Sequence, residues 1–552
     1  MGCLALMSFL PTRRERQRRQ FGHRQIQRDG GSIASLPKIE SVQCQDGDNS
    51  QADKVIGFDL ILPEDILRRI HALLPMKDAA RAACISRAFL GSWRSRPNLT
   101  FREEIFGLNK NAAAGVDTTM DLMYILDRCS QNDITRDFIN KIEHILQNHS
   151  GIGVKALKLE LYHCNGIDSC YIDGWLHAAV TPGIEEFTLI GPGVIKSNYD
   201  FPCSVLFDRG LNSIRFLQVS YCAFHPAVDL GCLTSLTQLH LCAVRITTDE
   251  LELLISKSFS LECLKLVYCD EITRVKIPCL LEQLNSLQVI GCHRVRAVES
   301  YAPNLFTFHL DGILVPISFG NPLQVKNLEV SFAYEVNVVS YACTNLLSMV
   351  PNVEAVTIHS PHEIDNTPMM PGKFLHLKYL HVCFGLVASS PAYDHLSLIS
   401  FLDASPSLET FILSVTENRT DHGLVFGEPF HPRQVLGYRH ENLKSLKING
   451  FSSERSMVEL VYHILENAPS LEGLTLDTTN GAARCYLGNP GKCTKMLDDR
   501  FVEARKALLA VRTYIAGRVP RGVKLSVVEP CSRCHAGEIQ DAEFINRIRF
   551  VV

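Results

Sequence analysis

The sequence predicts an α/β protein in three parts: a three-helix bundle near the front, a curved and irregular repeat solenoid behind it, and a cap at the C-terminal end. Three observations carry this expectation. A short apolar phrase recurs from about residue 154 onward. A compact run of apolar residues at helical spacing precedes it. At 552 residues the chain is too long for one ordinary core. Hydrophobic residues make up 46% and charged residues 21%, a globular composition. The net charge of -4 argues against a chain-wide nucleic-acid or membrane surface. No window approaches the uninterrupted apolar length of a transmembrane helix.

Residues 1–54 read as a disordered basic tail. Arg13, Arg14, Arg16, Arg18, Arg19, Arg24 and Arg28 crowd one stretch. Like charges repel, and few apolar residues are present to offset the entropy of ordering. The apolar stretch Gly2 to Leu10 comes before the positive charge, the reverse of a secretory signal. Leu6 stands where a myristoylation motif needs Ser or Thr. The 20 cysteines are scattered, unlike a disulfide scaffold. A reducing compartment with free thiols is therefore expected, cytoplasmic and/or nuclear.

Residues 55–101 change character. Pro63 suits a helix start, and Glu64 and Asp65 favour its positive end. Ile66, Leu67, Ile70, Leu73 and Leu74 follow at helical spacing until Pro75 stops the helix. A second segment opens at Asp78 and carries the small residues Ala79, Ala82 and Ala83, then Ile85 and Ser86; Phe89 and Trp93 fill the remaining space. So short a unit has a marginal core and more apolar residues than it can hide, which points to a partner surface. The ordered series Leu62-Pro63, Ile66-Leu67, Ile70, Leu73-Leu74-Pro75, Ile85-Ser86-Arg87, Phe89 and Trp93 resembles an F-box. It departs from that pattern at Phe89, where many members carry Trp, and in the later position of Trp93. The resemblance implies a contact with a Skp-type adaptor, and through it a cullin. That contact would be made by Leu62, Pro63, Ile66, Leu67, Ile70, Leu73, Leu74, Ile85, Phe89 and Trp93, some of which must instead form the bundle's own core. Residues 102–150 read as a helical linker, with apolar spacing over Met120 to Leu126 and Phe138 to Leu146.

Over 151–439 the phrase apolar-x-x-apolar-x-apolar repeats, as in Ile214/Leu217/Val219, Leu236/Leu239/Leu241 and Leu261/Leu264/Leu266. The full series begins at Ala156/Leu159/Leu161, includes Leu287/Ile290/Cys292, and ends at Leu471/Leu474/Leu476. Its spacing is that of leucine-rich repeats. The alternation puts two side chains on one face of a short strand, a face that one unit cannot bury and stacked units can. Cys164, Cys222 and Cys269 each stand three positions after a phrase, where a buried thiol would turn the chain. Helices are expected over Asp249 to Phe259 and Met457 to Ala468, the second capped by Ser453 and ended by Pro469.

Residues 440–480 complete the repeats, and the run 440–477 resembles the FBD region that follows the repeats in many plant F-box proteins. Residues 481–552 read as a cap. Leu497, Phe501, Ala504, Leu508, Val511 and Ile515 mark a long helix, closed by Gly517 and Pro520, with a strand over Val523 to Val528.

No cofactor site assembles. Cys531-Ser-Arg-Cys534-His535 has the spacing of a c-type haem attachment, but that chemistry needs export. As a zinc site it lacks a second Cys pair, with only Cys485 and Cys493 nearby. Gly151-Ile-Gly153 precedes a strand, whereas a dinucleotide fingerprint must follow one. Nothing combines a nucleophile, a base and an oxyanion donor.

The F-box, repeat and FBD resemblances together imply a non-catalytic substrate-recognition subunit of a Skp–cullin–F-box ubiquitin ligase. It would hold an unknown protein target on the outward strand positions Gln218, Ser220, Gln238, His240, Lys265 and Val267. No nucleic-acid or membrane partner is expected. The alternative is a leucine-rich-repeat scaffold or ligand sensor with no ligase attached.

Overall fold

A computed structural model describes residues 63–85, 87–102, 128–150, 153–161, 164, 167–192, 199–207, 212–226, 233–368, 373–385, 393–416, 425–426, 430–433, 435, 438–479, 496 and 498–531. Leu62, Ser86, the basic tail, Met120 to Leu126, Cys485, Cys493, Leu497, Cys534 and His535 lie outside them.

The described residues open with three short helices, α1 (Glu64–Leu73), α2 (Met76–Ile85) and α3 (Arg87–Arg94). Pro63 sits at the N-cap of α1, and both α1 and α2 pack on α3. The second helix starts two residues before Asp78, directly after Pro75, whose carbonyl accepts from the Asp78 and Ala79 N–H groups.

A parallel sheet follows at once. Its strands are β1 (Asn98–Phe101), β2 (Ala156–Glu160), β3 (Glu186–Ile190), β4 (Phe216–Ser220), β5 (Gln238–Cys242) and β6 (Cys263–Val267). A short strand, β7 (Val275–Ile277), leaves the sheet before β8 (Ser286–Ile290); β9 (Val298–Ser300) does so before β10 (Thr307–Gly312), and β11 (Ile317–Phe319) before β12 (Asn327–Phe332). The main sheet continues through β13 (Ala355–Ser360), β14 (Tyr379–Phe384), β15 (Thr410–Val415), β16 (Ser445–Asn449), β17 (Gly473–Asp477) and β18 (Lys524–Val528). Fifteen strands run in chain order, while β7, β9 and β11 form a separate three-stranded sheet.

The return segments carry α4 (Arg128–Asn148), α5 (Ser169–Ala179), α6 (Ser204–Phe207), α7 (Thr248–Ser256), α8 (Val338–Tyr341), α9 (Leu347–Met349), α10 (Ile399–Ala404), α11 (Arg455–Asn467) and α12 (Asp498–Ala510). Spacing decides what each segment becomes. Strand starts at Cys263, Ser286, Thr307 and Asn327 lie 23, 21 and 20 residues apart. That leaves no room for two helical turns and their connections, so the chain returns extended as β7, β9 and β11. The strand starts at Gln238 and Cys263 lie 25 residues apart, and α7 fits. It starts on a capping box, Thr247 with Glu250, and ends at Ser256, short of the expected Phe259.

One contiguous apolar core runs between the main sheet and the return segments. The second and fourth residues of each main strand point into it. Leu264 and Leu266 stand beside Leu239 and Leu241 on one side and Leu287 and Val289 on the other. Each fully buried aliphatic side chain contributes roughly 1.5–3 kcal/mol before entropy.

Two phrases sit out of the expected register. In β2 the inward pair is Leu157 and Leu159, so the unit is Val154/Leu157/Leu159, two residues earlier than Ala156/Leu159/Leu161. In β8 it is Leu284/Leu287/Val289, three residues earlier than Leu287/Ile290/Cys292. Cys292 thereby takes the post-strand turn position beside Cys222 and Cys269, and Cys164 does not. The Cys269 N–H donates to Cys292 Sγ at 3.4 Å, and Cys269 Sγ to the Leu241 carbonyl at 3.5 Å, so these thiols tie neighbouring turns together. The residue before that position turns left-handed in four successive units: Tyr221, Ala243, Tyr268 and Gly291. At Gly291 a Cβ would stand 2.3 Å from the Tyr268 ring, so any side chain there has to displace that ring.

The C-terminal expectations for helix and strand hold. The helix α12 runs on through Ile515 and Arg518, and β18 pairs in parallel with β17 as the last strand of the main sheet. Ser453 does not cap α11: Glu454 occupies the N-cap, and the Ser453 N–H and Oγ both donate to Glu503 Oε1 on α12, at 2.9 and 2.7 Å. The cap is thus hydrogen-bonded to the last repeat.

Candidate functional site

Two surfaces stand out. The first is the solvent side of α1. Ile66, Ile70 and Leu73 recur at helical spacing on one face, and they are 40%, 41% and 85% exposed. Pro63 at the helix start is exposed as well, Leu90 adds exposed apolar area on α3, and Leu67 and Leu74 are half-buried. Phe89 and Trp93 have an internal job. Phe89 stacks on the His71 ring at 5.3 Å, while Trp93 meets that ring edge-on at 6.4 Å and packs against the main core. The structure therefore divides the sequence-derived contact set into an outward strip and an inner support. Ile85 belongs to α2.

Two polar residues that sequence reasoning passed over hold this strip in place. His71 is fully buried, and its Nε2 donates to the Ala79 carbonyl at 2.9 Å, tying α1 to α2. Arg96, also buried, reaches back to the carbonyls at the end of α1, of which that of His71 also accepts from the Leu74 N–H. Its Nη1 donates to the His71 carbonyl at 2.9 Å and its Nη2 to the Leu74 carbonyl at 2.6 Å, while Nε donates to the Asn98 carbonyl at 3.0 Å. Burial lowers its pKa from the ordinary arginine value. His149 Nε2 donates to the Arg96 carbonyl at 2.9 Å, extending the link to α4. A lone Arg after a helix carries no sequence signal for this, because its partners are backbone atoms up to 25 residues away.

The second surface is the outward face of the main sheet. Gln218, His240 and Lys265 form one row across β4, β5 and β6. Gln238 is exposed and Val267 half-buried on the same face. His240 stands edge-on to Phe216 at 5.1 Å, and burial, with Lys265 beside it, lowers its pKa. Ser220 departs from expectation: it is 2% exposed. The strand ends there, Tyr221 turns back left-handed, and the Gly191 N–H closes on the Ser220 carbonyl at 2.8 Å, so neighbouring backbone covers the position.

One strand per unit, an inward apolar pair on each, and return segments that change form with spacing define a leucine-rich-repeat protein. The chain belongs to the family described as "At1g61320/AtMIF1, LRR domain", which matches residues 145–532. It is similar to the F-box/FBD/LRR-repeat protein At1g13570 of Arabidopsis thaliana, 23% identical over 76% of this chain and 90% of that protein. It is equally similar to the FBD-associated F-box protein At1g66310 of the same plant, 23% identical over 80% of this chain and 96% of that protein. Membership in the plant F-box/LRR/FBD group follows. Among solved structures, an internalin from Listeria monocytogenes is 11% identical over 61% of this chain and 80% of its own, with a TM-score of 0.27, too distant to argue from.

Proposed function

We propose that this protein is the substrate-recognition subunit of a Skp–cullin–F-box ubiquitin ligase. The α1 surface binds the Skp-type adaptor, and the outward sheet face binds a protein target, in the cytoplasm, the nucleus or both. The observation that carries the reading is the strip Ile66, Ile70 and Leu73, left facing solvent in a protein whose relatives are named F-box proteins. A partner that covers these side chains gains most of the roughly 1.5–3 kcal/mol of a full aliphatic burial at Leu73 and a smaller share at Ile66 and Ile70, which are partly buried already. A partner face of about 800 Å² accommodates the strip. The protein itself supplies proximity rather than bond-breaking. Holding ligase and target on one rigid chain raises their effective concentration, which is the whole of its contribution to ubiquitin transfer.

Co-expression with a Skp-type adaptor followed by affinity capture tests this. Ile70→Glu and Leu73→Glu each place a charge in the buried centre of the contact. Each is expected to reduce capture about thirtyfold or more, the size of a hot-spot loss of roughly 2 kcal/mol. Undiminished capture by both variants removes the α1 assignment. A wild-type protein that captures no adaptor leaves the repeat array as a scaffold without a ligase.

A further inference from the structure

The outward sheet face carries, ten strands in, a group of side chains well apart from the row Gln218, His240 and Lys265. His359 on β13 and Cys383 on β14 are register partners, standing side by side. Cys383 Sγ lies 3.0 Å from His381 Nε2 on its own strand. His359 Nε2 lies 3.2 Å from Glu329 Oε1 on β12, and His309 on β10 reaches the same carboxylate at 3.7 Å. On the far side, His381 Nε2 stands 2.9 Å from Ser414 Oγ of β15, a hydroxyl that accepts from Asn449 Nδ2 of β16 at 2.9 Å. Tyr379 is the other titratable outward residue of β14. Among the described residues no three such side chains are arranged to hold a metal ion. The group's chemistry is that of a thiol with two imidazoles and a carboxylate behind them.

We propose that Cys383 is a nucleophilic modification site on the sheet face, seated between His359 and His381 and backed by Glu329, and that its natural reagents are hydroperoxides. The sulfur is half-buried and so remains reachable from the open face. Burial alone would raise its pKa, but hydrogen bonds from His359 and His381 outweigh it and bring the thiol down to about 7. Burial alone would likewise lower His359, but the sulfur and the Glu329 carboxylate hold its imidazolium up to about 10. Elsewhere in the array Cys203, Cys222 and Cys242 are pushed up by burial, and so is Cys263, although its sulfur lies 3.9 Å from His240 Nε2. In the reaction the thiolate sulfur attacks one peroxide oxygen. An S–O bond forms as the O–O bond breaks, and sulfur gives two electrons to the departing oxygen. That oxygen takes the His359 proton and leaves as water or an alcohol. The product is a sulfenic acid at Cys383 beside a neutral imidazole.

The test uses the full-length reduced protein, equimolar hydrogen peroxide at a series of pH values, dimedone to trap sulfenic acid, and peptide mass spectrometry. Label is expected first at Cys383, with a yield that rises through about pH 7. The exposed thiols Cys84, Cys170 and Cys279 should follow at least about threefold more slowly at that pH. At that pH a thiol of the ordinary class carries about fifteenfold less thiolate than one with a midpoint near 7, an advantage that the lower intrinsic nucleophilicity of an acidic thiol reduces to about threefold before any help from the imidazolium proton. His359→Gln should move the Cys383 midpoint up toward the ordinary thiol range, near 8.5, and leave labelling of Cys279 unchanged. Label appearing first on Cys84, Cys170 or Cys279, or a wild-type Cys383 midpoint near 8.5, overturns the proposal. The wild-type profile decides this even where the variant folds poorly.

Discussion

The N-terminal helices and the repeat array solve the same problem in opposite ways. Both are rich in aliphatic residues. In the array each unit lends its apolar face to the next, so Leu264, Leu287 and Phe308 vanish from solvent in turn. The three helices have 10, 10 and 8 residues and, among the described residues, no further layer on the α1 side, so Ile66, Ile70 and Leu73 stay outside. The array coheres by apolar area and sheet hydrogen bonds. The helices depend instead on a few polar links, His71 to Ala79 and Arg96 to the end of α1. Exposed apolar area next to a buried polar clamp is the mark of a surface held ready for a partner; a continuous apolar column is the mark of a frame.

Three substitutions and one titration probe that contrast. The largest effect is expected from Phe411→Ala in β15, which is fully buried beside Leu380 and Leu446. A cavity there should cost about 3–5 kcal/mol, seen as a lower midpoint of the array's chemical unfolding. Adaptor capture, if the two regions are energetically separate, should survive.

Arg96→Met removes a charge that four backbone carbonyls share, those of His71, Ala72, Leu74 and Asn98. Each orphaned carbonyl costs roughly 1–3 kcal/mol, for a total of about 3 kcal/mol or more. The loss should appear as faster hydrogen exchange over 63–94 and weaker adaptor capture, with the array's main transition in place. An array that melts together with the helices would show one cooperative unit and break the comparison.

Acid should act on the array's far end. His440 is buried against His463, and burial, reinforced by that second ring, lowers it to about 4. Its unfolded value is near 6.5. Above that pH both states are neutral and stability is flat; as pH falls from 6.5 toward 4 the unfolded chain takes up the proton first, and stability drops. The loss reaches about 3 kcal/mol from this group. Thermal melts over that range should show His440→Gln with a shallower acid slope than wild type. Smallest is the stability change in Leu73→Glu, within about 0.5 kcal/mol at so exposed a position, although the same substitution should abolish adaptor capture. A large loss of stability would mean that Leu73 is packed in solution, and the exposed strip would lose its meaning.

Much of the array was legible in the chain because its determinants are local. Leu236/Leu239/Leu241 carries both the strand and its inward face, and the cap helix and β18 followed from the same periodicities. Register was another matter. Val154/Leu157/Leu159 and Ala156/Leu159/Leu161 satisfy the same pattern, and only pairing with Phe187 and Leu189 selects the first. The outer strands β7, β9 and β11 were hidden because two or three extended residues have no periodicity to read. The strand β1 was hidden inside a segment whose helical signal dominates.

Sequence alone determined that one region would be a stacked apolar frame and the other a short helical unit with apolar residues to spare, since both depend on the order of side chains along the chain. Tertiary structure decided which of those residues face out. Phe89 and Trp93 close on His71, Ser220 is covered by a neighbouring turn, and Arg96 finds its carbonyls a full helix away. It also brought Cys383, His359, His381 and Glu329 together from three different units. Side-chain exposure and hydrogen-bond partners are set by what else arrives at the same place, and in a parallel array the nearest neighbour in space is a whole repeat away in the chain.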